Sequence, residues 1–337
     1  MHARGSCGGR LGWLVAVLAL GVGVYSPRVS AAQGSPRPVT QEGALFLLLP
    51  VGAQAIGVAR AMTALPSAEG AFWNPASLAV VERNQLLLYH GNHLTGNGTG
   101  FSGLFARSGT GTLGVSYNLL DESGIELTDE TGMSVGSVAV RGHQGIVSVG
   151  SPLTDWLNAG LNLKLVSSGV TCRGRCPEGT GRSSTYALDA GVQIQPSAER
   201  ALVFGLMFAH LGPRFREESS DRPQPLPSRV RAGVSYRLMR EFIEEEFGLR
   251  LMLEVEDRLR ELGTRSVHIA AELTGGTGDQ LFLRGGAIFA NRNQTDGAAL
   301  GFGLRYERFE FGIARSLARG GPASQQEPVH LTLGVVF

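Results

Sequence analysis

The sequence predicts an all-β protein, a transmembrane antiparallel β-barrel of about 14 strands. Three observations predict this fold. Glycine supplies 48 of the 337 residues, about twice its usual share, and interior glycines disfavour helices. No stretch after residue 32 approaches the ~18 consecutive apolar residues that indicate a membrane-spanning helix. Instead, apolar and polar residues alternate from about residue 84 to residue 337, as they do in strands with one apolar and one polar face.

The first segment, residues 1–32, has the pattern of an export signal. Arg4 and Arg10 precede an apolar run over residues 11–24, and small residues precede Gln33. The alternative is a membrane-anchoring helix, but the run is shorter than the ~20 residues that span a bilayer, and glycines interrupt its end. We therefore expect the mature chain to begin near Gln33.

The second segment, residues 33–82, does not alternate. Its stretch GAQAIGVARAMTAL has small residues in a roughly helical arrangement, and Pro50, Pro66 and Pro75 punctuate residues 43–79. This pattern is typical of a chain segment that is buried inside a larger structure. The sequence thus divides into a signal peptide (1–32), a buried segment (33–82) and a barrel (83–337).

The third segment contains about fourteen alternating stretches, separated by turn-like clusters such as DESG and TGGTGD. In WLNAGLNLKL, leucines and an alanine share one face, while asparagines, a glycine and a lysine share the other. A soluble β-sandwich would show the same alternation. The polar face, however, carries glycine, asparagine and charged residues, which is the arrangement of a barrel with lipid outside and a polar lumen inside.

Five charged residues fall on the predicted inner face of the strands. They are Lys164, Arg250, Glu254, Arg284 and Arg305. Such residues either bind a charged group of a ligand, for example a carboxylate, or form ion pairs with one another. Pairing is the interpretation that we favour, and binding to a ligand stays open.

Other candidate chemistry is sparse. Cys172 and Cys176 could close a small disulfide in an exported chain, whereas zinc would need further Cys or His at ligand spacing. GTGTLG matches the dinucleotide motif GxGxxG, but a strand pattern follows it instead of a helix. No catalytic serine motif occurs, and a net charge of +1 gives no reason to expect nucleic acid as a partner. We predict no enzymatic activity, no cofactor and no metal.

A family resemblance rests on the segment before the first strand. GAQAIGVARAM and FWNPASLA resemble the N-terminal hatch of FadL-like barrels, the long-chain fatty acid transporters and their relatives, and more closely that of the PorV/PorQ subgroup. The matching positions are Gly52, Ala53, Ala55, Gly57, Ala59, Trp73, Asn74, Pro75, Ala76, Leu78 and Ala79. AHLGPRF and the closing GFGLRYERFEFGIARS are similar to later strands of the family. Gln54 and the stretch ALPSAEG depart from its pattern, which weakens any assignment of a particular ligand.

The resemblance implies a hatch over residues 33–82 that plugs the lumen of the barrel. Its motif consists of Phe72, Trp73, Asn74, Pro75 and Ala76. In fatty acid transporters of this kind, the hatch moves and a hydrophobic molecule leaves sideways through the wall. The resemblance therefore implies transport of fatty-acid-like molecules, or else the role of a PorV-like accessory of a protein secretion or surface-attachment system. A simpler interpretation makes WNPA a rigid turn before the first strand.

The last strand ends in Phe337, which resembles the signal that the outer-membrane assembly machinery reads. We therefore expect a location in the outer membrane, with its lipid and its assembly machinery as partners. A hydrophobic small molecule, or a protein of a secretion system, is the further partner that the resemblance implies.

Overall fold

The computed structural model describes residues 41–93, 96–175, 181–196, 201–216, 223–238, 247–290, 296–318 and 328–337. The predicted signal peptide, residues 33–40 of the predicted hatch and Cys176 lie outside the described residues.

In the part of the chain that the structure describes, fourteen strands close into one antiparallel barrel, as the sequence predicts. Each strand pairs with its neighbours in the sequence, and the first pairs with the last. The strands are β1 (Gln85–His93), β2 (Gly96–Arg107), β3 (Gly111–Thr128), β4 (Ser134–Thr154), β5 (Leu157–Gly174), β6 (Arg182–Ile194), β7 (Leu202–Leu211), β8 (Arg229–Arg237), β9 (Phe247–Arg258), β10 (Ser266–Gly275), β11 (Gln280–Ala290), β12 (Gly297–Tyr306), β13 (Phe309–Ala318) and β14 (Val329–Val336).

The alternation of the sequence becomes the two faces of the wall. On β5, Leu161, Leu163 and Leu165 point outward with 58%, 48% and 67% of their surface exposed, whereas Asn162 and Lys164 point inward and are buried. A closed barrel leaves no unpaired strand edge, and an apolar outer face suits lipid. This is the geometry of a barrel that spans a membrane.

The two ends of the barrel differ. At the terminal end, where β1 begins and β14 ends, short turns join β2 to β3, β4 to β5 and β12 to β13. At the opposite end, β3, β4 and β5 continue beyond their neighbours. They contain 18, 21 and 18 residues, whereas the other described strands contain between 8 and 13.

Residues 41–84, which we call the inner segment, lie inside the barrel. They form four short helices: η1 (Leu45–Leu48), α1 (Ala53–Gly57), η2 (Ala68–Ala71) and η3 (Pro75–Val80). Val58, Leu65 and Leu78 of this segment are fully buried and share one apolar cluster with Leu104 of β2 and Ile146 of β4. Among the described residues, none of the helices has the length and apolar character to cross a membrane.

Candidate functional site

The WNPA stretch of the inner segment sits against wall strands whose facing residues are glycine. A side chain at Gly160 on β5 would collide with the backbone of Pro75, and one at Gly191 on β6 would collide with the amide of Asn74. Gly150 on β4 faces Pro75 in the same way. Only glycine permits so close an approach. These wall glycines, which we call the glycine seat, hold the motif that the sequence singled out.

Asn74 joins the inner segment to itself and to the wall. Its Nδ2 donates to the carbonyl oxygen of Thr63 at 2.7 Å and, at 3.4 Å, to that of Val192 on β6. Its Oδ1 accepts from the backbone N–H of Ala76 at 3.1 Å, which caps η3. Pro75 takes the first position of η3, where its missing N–H has no cost. The motif is therefore a rigid turn, and it is also a point of attachment to β6.

The aromatic residues of the motif are buried beside this turn. Trp73 donates from Nε1 to the carbonyl oxygen of Val51 at 3.0 Å, and the guanidinium of Arg231 lies 5.1 Å from the centre of its ring. Phe72 meets Tyr89 of β1 edge to face, with ring centres 5.4 Å apart. The five predicted hatch residues thus all lie in the interior, where Trp73 can report on the environment of the inner segment.

Glu69 was not predicted as a site residue, and it holds the first turn of α1. Its carboxylate accepts from the backbone N–H groups of Gln54 at 3.3 Å and Ala55 at 3.0 Å, and from Thr332 Oγ1 of β14 at 3.2 Å. Burial raises the pKa of Glu69 to about 7, although the N–H of Ala55 acts in the opposite direction. The one charged residue inside the mainly apolar stretch ALPSAEGAFW was the available signal in the sequence.

We expect the stability of the protein to fall as the pH rises through about 7, and Glu69→Gln to remove this component. The folded carboxyl binds its proton more tightly than the unfolded one, because its pKa is raised from 4.5 to about 7. The stabilisation is therefore complete below pH 4.5 and is lost as the pH passes the folded pKa. A shift of this size corresponds to about 3 kcal/mol in the free energy of unfolding.

The measurement is urea unfolding in detergent micelles between pH 4.5 and pH 8 for the parent and for Glu69→Gln. The free energy of unfolding is plotted against pH for each protein, and the difference between the two plots isolates Glu69 because other titrating groups contribute to both. Parallel plots would contradict the prediction. Glutamine has the same length as glutamate and retains one acceptor oxygen for the N–H of Ala55.

The inner segment borders a cavity of about 1150 Å³ at the terminal end, between η2 and the walls of β1 and β8 to β14. A second pocket, of about 10 Å³, lies under η1 and is lined mainly by apolar and aromatic side chains. Its lining residues are Leu47, Leu48, Leu49, Val51, Phe72, Trp73, Gln144 and Arg231. The second pocket has room for about one water molecule while the inner segment is in place.

Lys164 is paired inside the wall. Its Nζ lies 2.6 Å from Asp189 Oδ2 on β6, and both side chains are fully buried. Asn162 Nδ2 donates to the same oxygen at 2.8 Å and to the carbonyl oxygen of Ala71 at 3.0 Å. The backbone N–H of His210 donates to Asp189 Oδ1 at 2.8 Å. This group therefore connects β5, β6 and β7 with η2 of the inner segment.

The seam between β6 and β7 is irregular at this group. Pairing runs from Ile194↔Phe204 to Ala190↔Phe208 and resumes at Leu188↔Leu211. His210 occupies the extra position with a φ of 58°, in the left-handed region. Such bulges bend a strand and occur often beside functional sites.

The other predicted lumen residues also lie on the inner face. Arg284 Nε binds Glu272 Oε2 at 2.7 Å, and Arg305 lies 3.4 Å from Glu310. Arg250 differs, because within the described residues its guanidinium has no hydrogen bond or ion pair.

Glu254 contacts the inner segment. Its Oε2 accepts from the backbone N–H of Thr63 at 2.7 Å. A second connection, which the sequence did not suggest, joins Glu42 to Arg229 of β8 through two hydrogen bonds of 2.9 and 2.8 Å. Acids and bases of β8 and β9 thus hold both the beginning and the middle of the inner segment.

The remaining predicted positions lie away from this site. Cys172 of β5 is disulfide-bonded, while Cys176 lies outside the described residues. Phe337 follows β14 with its side chain exposed, and its N–H donates to the carbonyl oxygen of Asn84 at 2.9 Å. Among the described residues, no three His, Cys, Asp or Glu side chains are arranged to hold a metal ion.

Comparison with protein-family models and with curated protein sequences gives no match. Among solved structures, the chain is similar to the CymD monoaromatic hydrocarbon channel, with a TM-score of 0.58 and 11% identity over 88% of this chain and 98% of that one. It is similar to the TodX deltaS2S3 mutant monoaromatic hydrocarbon channel, with a TM-score of 0.57 and 10% identity over 85% and 97%. A Pseudomonas aeruginosa FadL homologue gives a TM-score of 0.50 and 9% identity over 86% and 98%. At these identities the likeness concerns the fold.

Proposed function

We propose that this chain is an outer-membrane barrel of the FadL/PorV type that moves hydrophobic small molecules, and that the inner segment is its gate. The supporting observation is the way in which this segment is held. It lies in the lumen, yet in the described part of the chain it adds no strand to the barrel. Side-chain bonds and the glycine seat hold it in place, so it can leave without breaking the pairing of the wall.

The route begins at the pocket under η1. Leucines and the aromatic residues of the motif line this pocket, so it favours an apolar solute. We expect the pocket to enlarge when η1 moves. The exit lies at the β6–β7 seam, where the pairing is interrupted. The descriptions of two structural neighbours as monoaromatic hydrocarbon channels support the same class of solute.

A disulfide between the inner segment and the wall tests the gate. A Cβ atom at Gly312 of β13 would lie 3.1 Å from the Cβ of Ala53, close to the ~3.5–4.5 Å found in disulfides. We expect the oxidised Ala53→Cys/Gly312→Cys variant to take up toluene and oleate no faster than protein-free vesicles do. Reduction should restore the rate of the parent, because the inner segment is then free to move.

Each single cysteine variant and the parent serve as controls, with and without the reductant. The parent is needed because reduction also opens the disulfide of Cys172. If the oxidised double variant takes up the solutes at the rate of the parent, the inner segment is not a gate. A parent protein that takes up neither solute would contradict the transport function itself.

The second candidate is the PorV-like accessory of a secretion or surface-attachment system. The observation that favours it is the extension of β3, β4 and β5 beyond the other strands, which offers a surface outside the barrel. Partial exposure of Val138 and Val140 on β4 adds apolar area to this surface. Deletion of residues 124–136 would abolish an accessory function, whereas uptake of toluene through the lumen would persist.

A further inference from the structure

Two arginines lie side by side in the cavity at the terminal end. Arg237 of β8 and Arg250 of β9 are direct register partners, and both side chains line the cavity. Such partners have Cβ atoms about 4.5–5.5 Å apart. In the described part of the chain, neither guanidinium takes part in a hydrogen bond or an ion pair. Two like charges therefore lie side by side on one face of the sheet.

The acid that opposes Arg250 in the sheet is already paired with another arginine. Glu272 of β10 is the register partner of Arg250, but it is already bound by Arg284 Nε at 2.7 Å. It also accepts from Gln54 Nε2 at 3.4 Å. Like charges at directly opposed positions destabilise a sheet. Within the described residues, the arrangement thus leaves two guanidinium groups in a concave wall with hydrogen-bond donors available to an anion.

The cavity is large enough for more than a simple ion. Its volume of about 1150 Å³ exceeds the ~300–1000 Å³ typical of small-molecule sites. Leu87, Leu249 and Phe282 supply apolar surface to the same lining. We propose that this cavity binds an organic anion, a molecule with a carboxylate or phosphate group on an apolar body, and that Arg237 and Arg250 bind its charged group. Paired guanidinium groups match the oxygens of either group.

The test uses the parent protein in lipid nanodiscs and saturation-transfer NMR with three probes: benzoate, phenyl phosphate and the neutral benzamide. We expect both anions to bind to the parent. The variant Arg237→Gln/Arg250→Gln should bind them at least about tenfold more weakly, because the loss of one hydrogen bond to a charged group typically lowers affinity by about this factor. Benzamide should bind equally to parent and variant. A preference for benzoate or for phenyl phosphate would identify the charged group, and either preference supports the proposal.

Two further variants distinguish recognition from a general effect of charge. Arg107→Gln removes an exposed arginine at the same end of the barrel, outside the cavity, and should leave anion binding unchanged. Arg250→Lys retains the charge but not the planar fork, so it should bind the anions with intermediate affinity. Heat-dependent migration in gels checks that every variant forms the barrel.

Three results would overturn the proposal. The first is equal binding of the anions to parent and double glutamine variant. The second is equal affinity of the parent for benzoate and benzamide. The third is binding of benzoate only after four glutamates of the sequence between the two arginines are changed to Gln, since the chain itself would then neutralise the arginines. These glutamates lie outside the described residues and are Glu241, Glu244, Glu245 and Glu246. Binding is measured without transport, so this outcome is independent of the proposed function.

Discussion

Replacing Lys164 by methionine should destabilise the barrel by about 3–5 kcal/mol, the largest loss that we expect from a single substitution. Lys164 and Asp189 are fully buried, with Nζ and Oδ2 2.6 Å apart. Methionine fills a similar volume but leaves the carboxylate of Asp189 without its counter-charge in the interior. Urea unfolding in detergent micelles measures the loss as a difference in the free energy of unfolding.

The double variant Lys164→Met/Asp189→Asn separates the buried charge from the loss of packing. The amide that replaces the carboxylate carries no charge, and its oxygen can still accept from the backbone N–H of His210, so we expect this variant to recover more than half of the loss. Arg265→Met is the matched control, because Arg265 is an exposed member of an ion pair with Asp257 and should change stability by at most ~1 kcal/mol. A Lys164→Met variant no less stable than this control would contradict the prediction.

The fold could be predicted from the sequence because the two faces of each strand follow from that strand alone. Leu161 and Asn162 are neighbours in the chain, and the structure places them on opposite faces of the wall. The same local rule put Lys164, Arg250 and Arg284 on the inner face. Alternation depends only on the geometry of one strand, so it requires no knowledge of what lies across the barrel.

The partners of these residues could not be predicted in the same way. Glu69 binds Thr332, which is 263 positions away, and no local pattern connects an acid in η2 with a threonine in β14. Gly160 is one glycine among 48, and its role depends on Pro75 lying against it. The WNPA motif was found because proline and asparagine have strong local preferences, whereas its seat consists of residues whose importance lies in the absence of a side chain.

The glycine seat leads to the second prediction of large effect. We expect Gly160→Ala to leave the barrel folded but to displace the inner segment from its wall. The new Cβ would collide with backbone atoms of Pro75 and Ala76, which cannot rotate away. Overpacking of this kind costs about 1–3 kcal/mol, which changes the ratio of displaced to seated segment by roughly 5–150-fold. The fluorescence of Trp73 measures the change in a Trp156→Phe background, since the one other tryptophan is Trp13 of the predicted signal peptide.

Two other glycines determine whether a change in Trp73 emission comes from the seat. An added Cβ at Gly145 of β4 would meet no atom within 4 Å, so Gly145→Ala should leave the emission unchanged. At Gly191 the obstacle is the side-chain amide of Asn74, which can turn aside at the expense of its bond to Thr63. Gly191→Ala should therefore shift the emission less than Gly160→Ala does. If both substitutions red-shift Trp73 equally, backbone contact is not what holds WNPA in place, and the hydrogen bonds of Asn74 alone hold it.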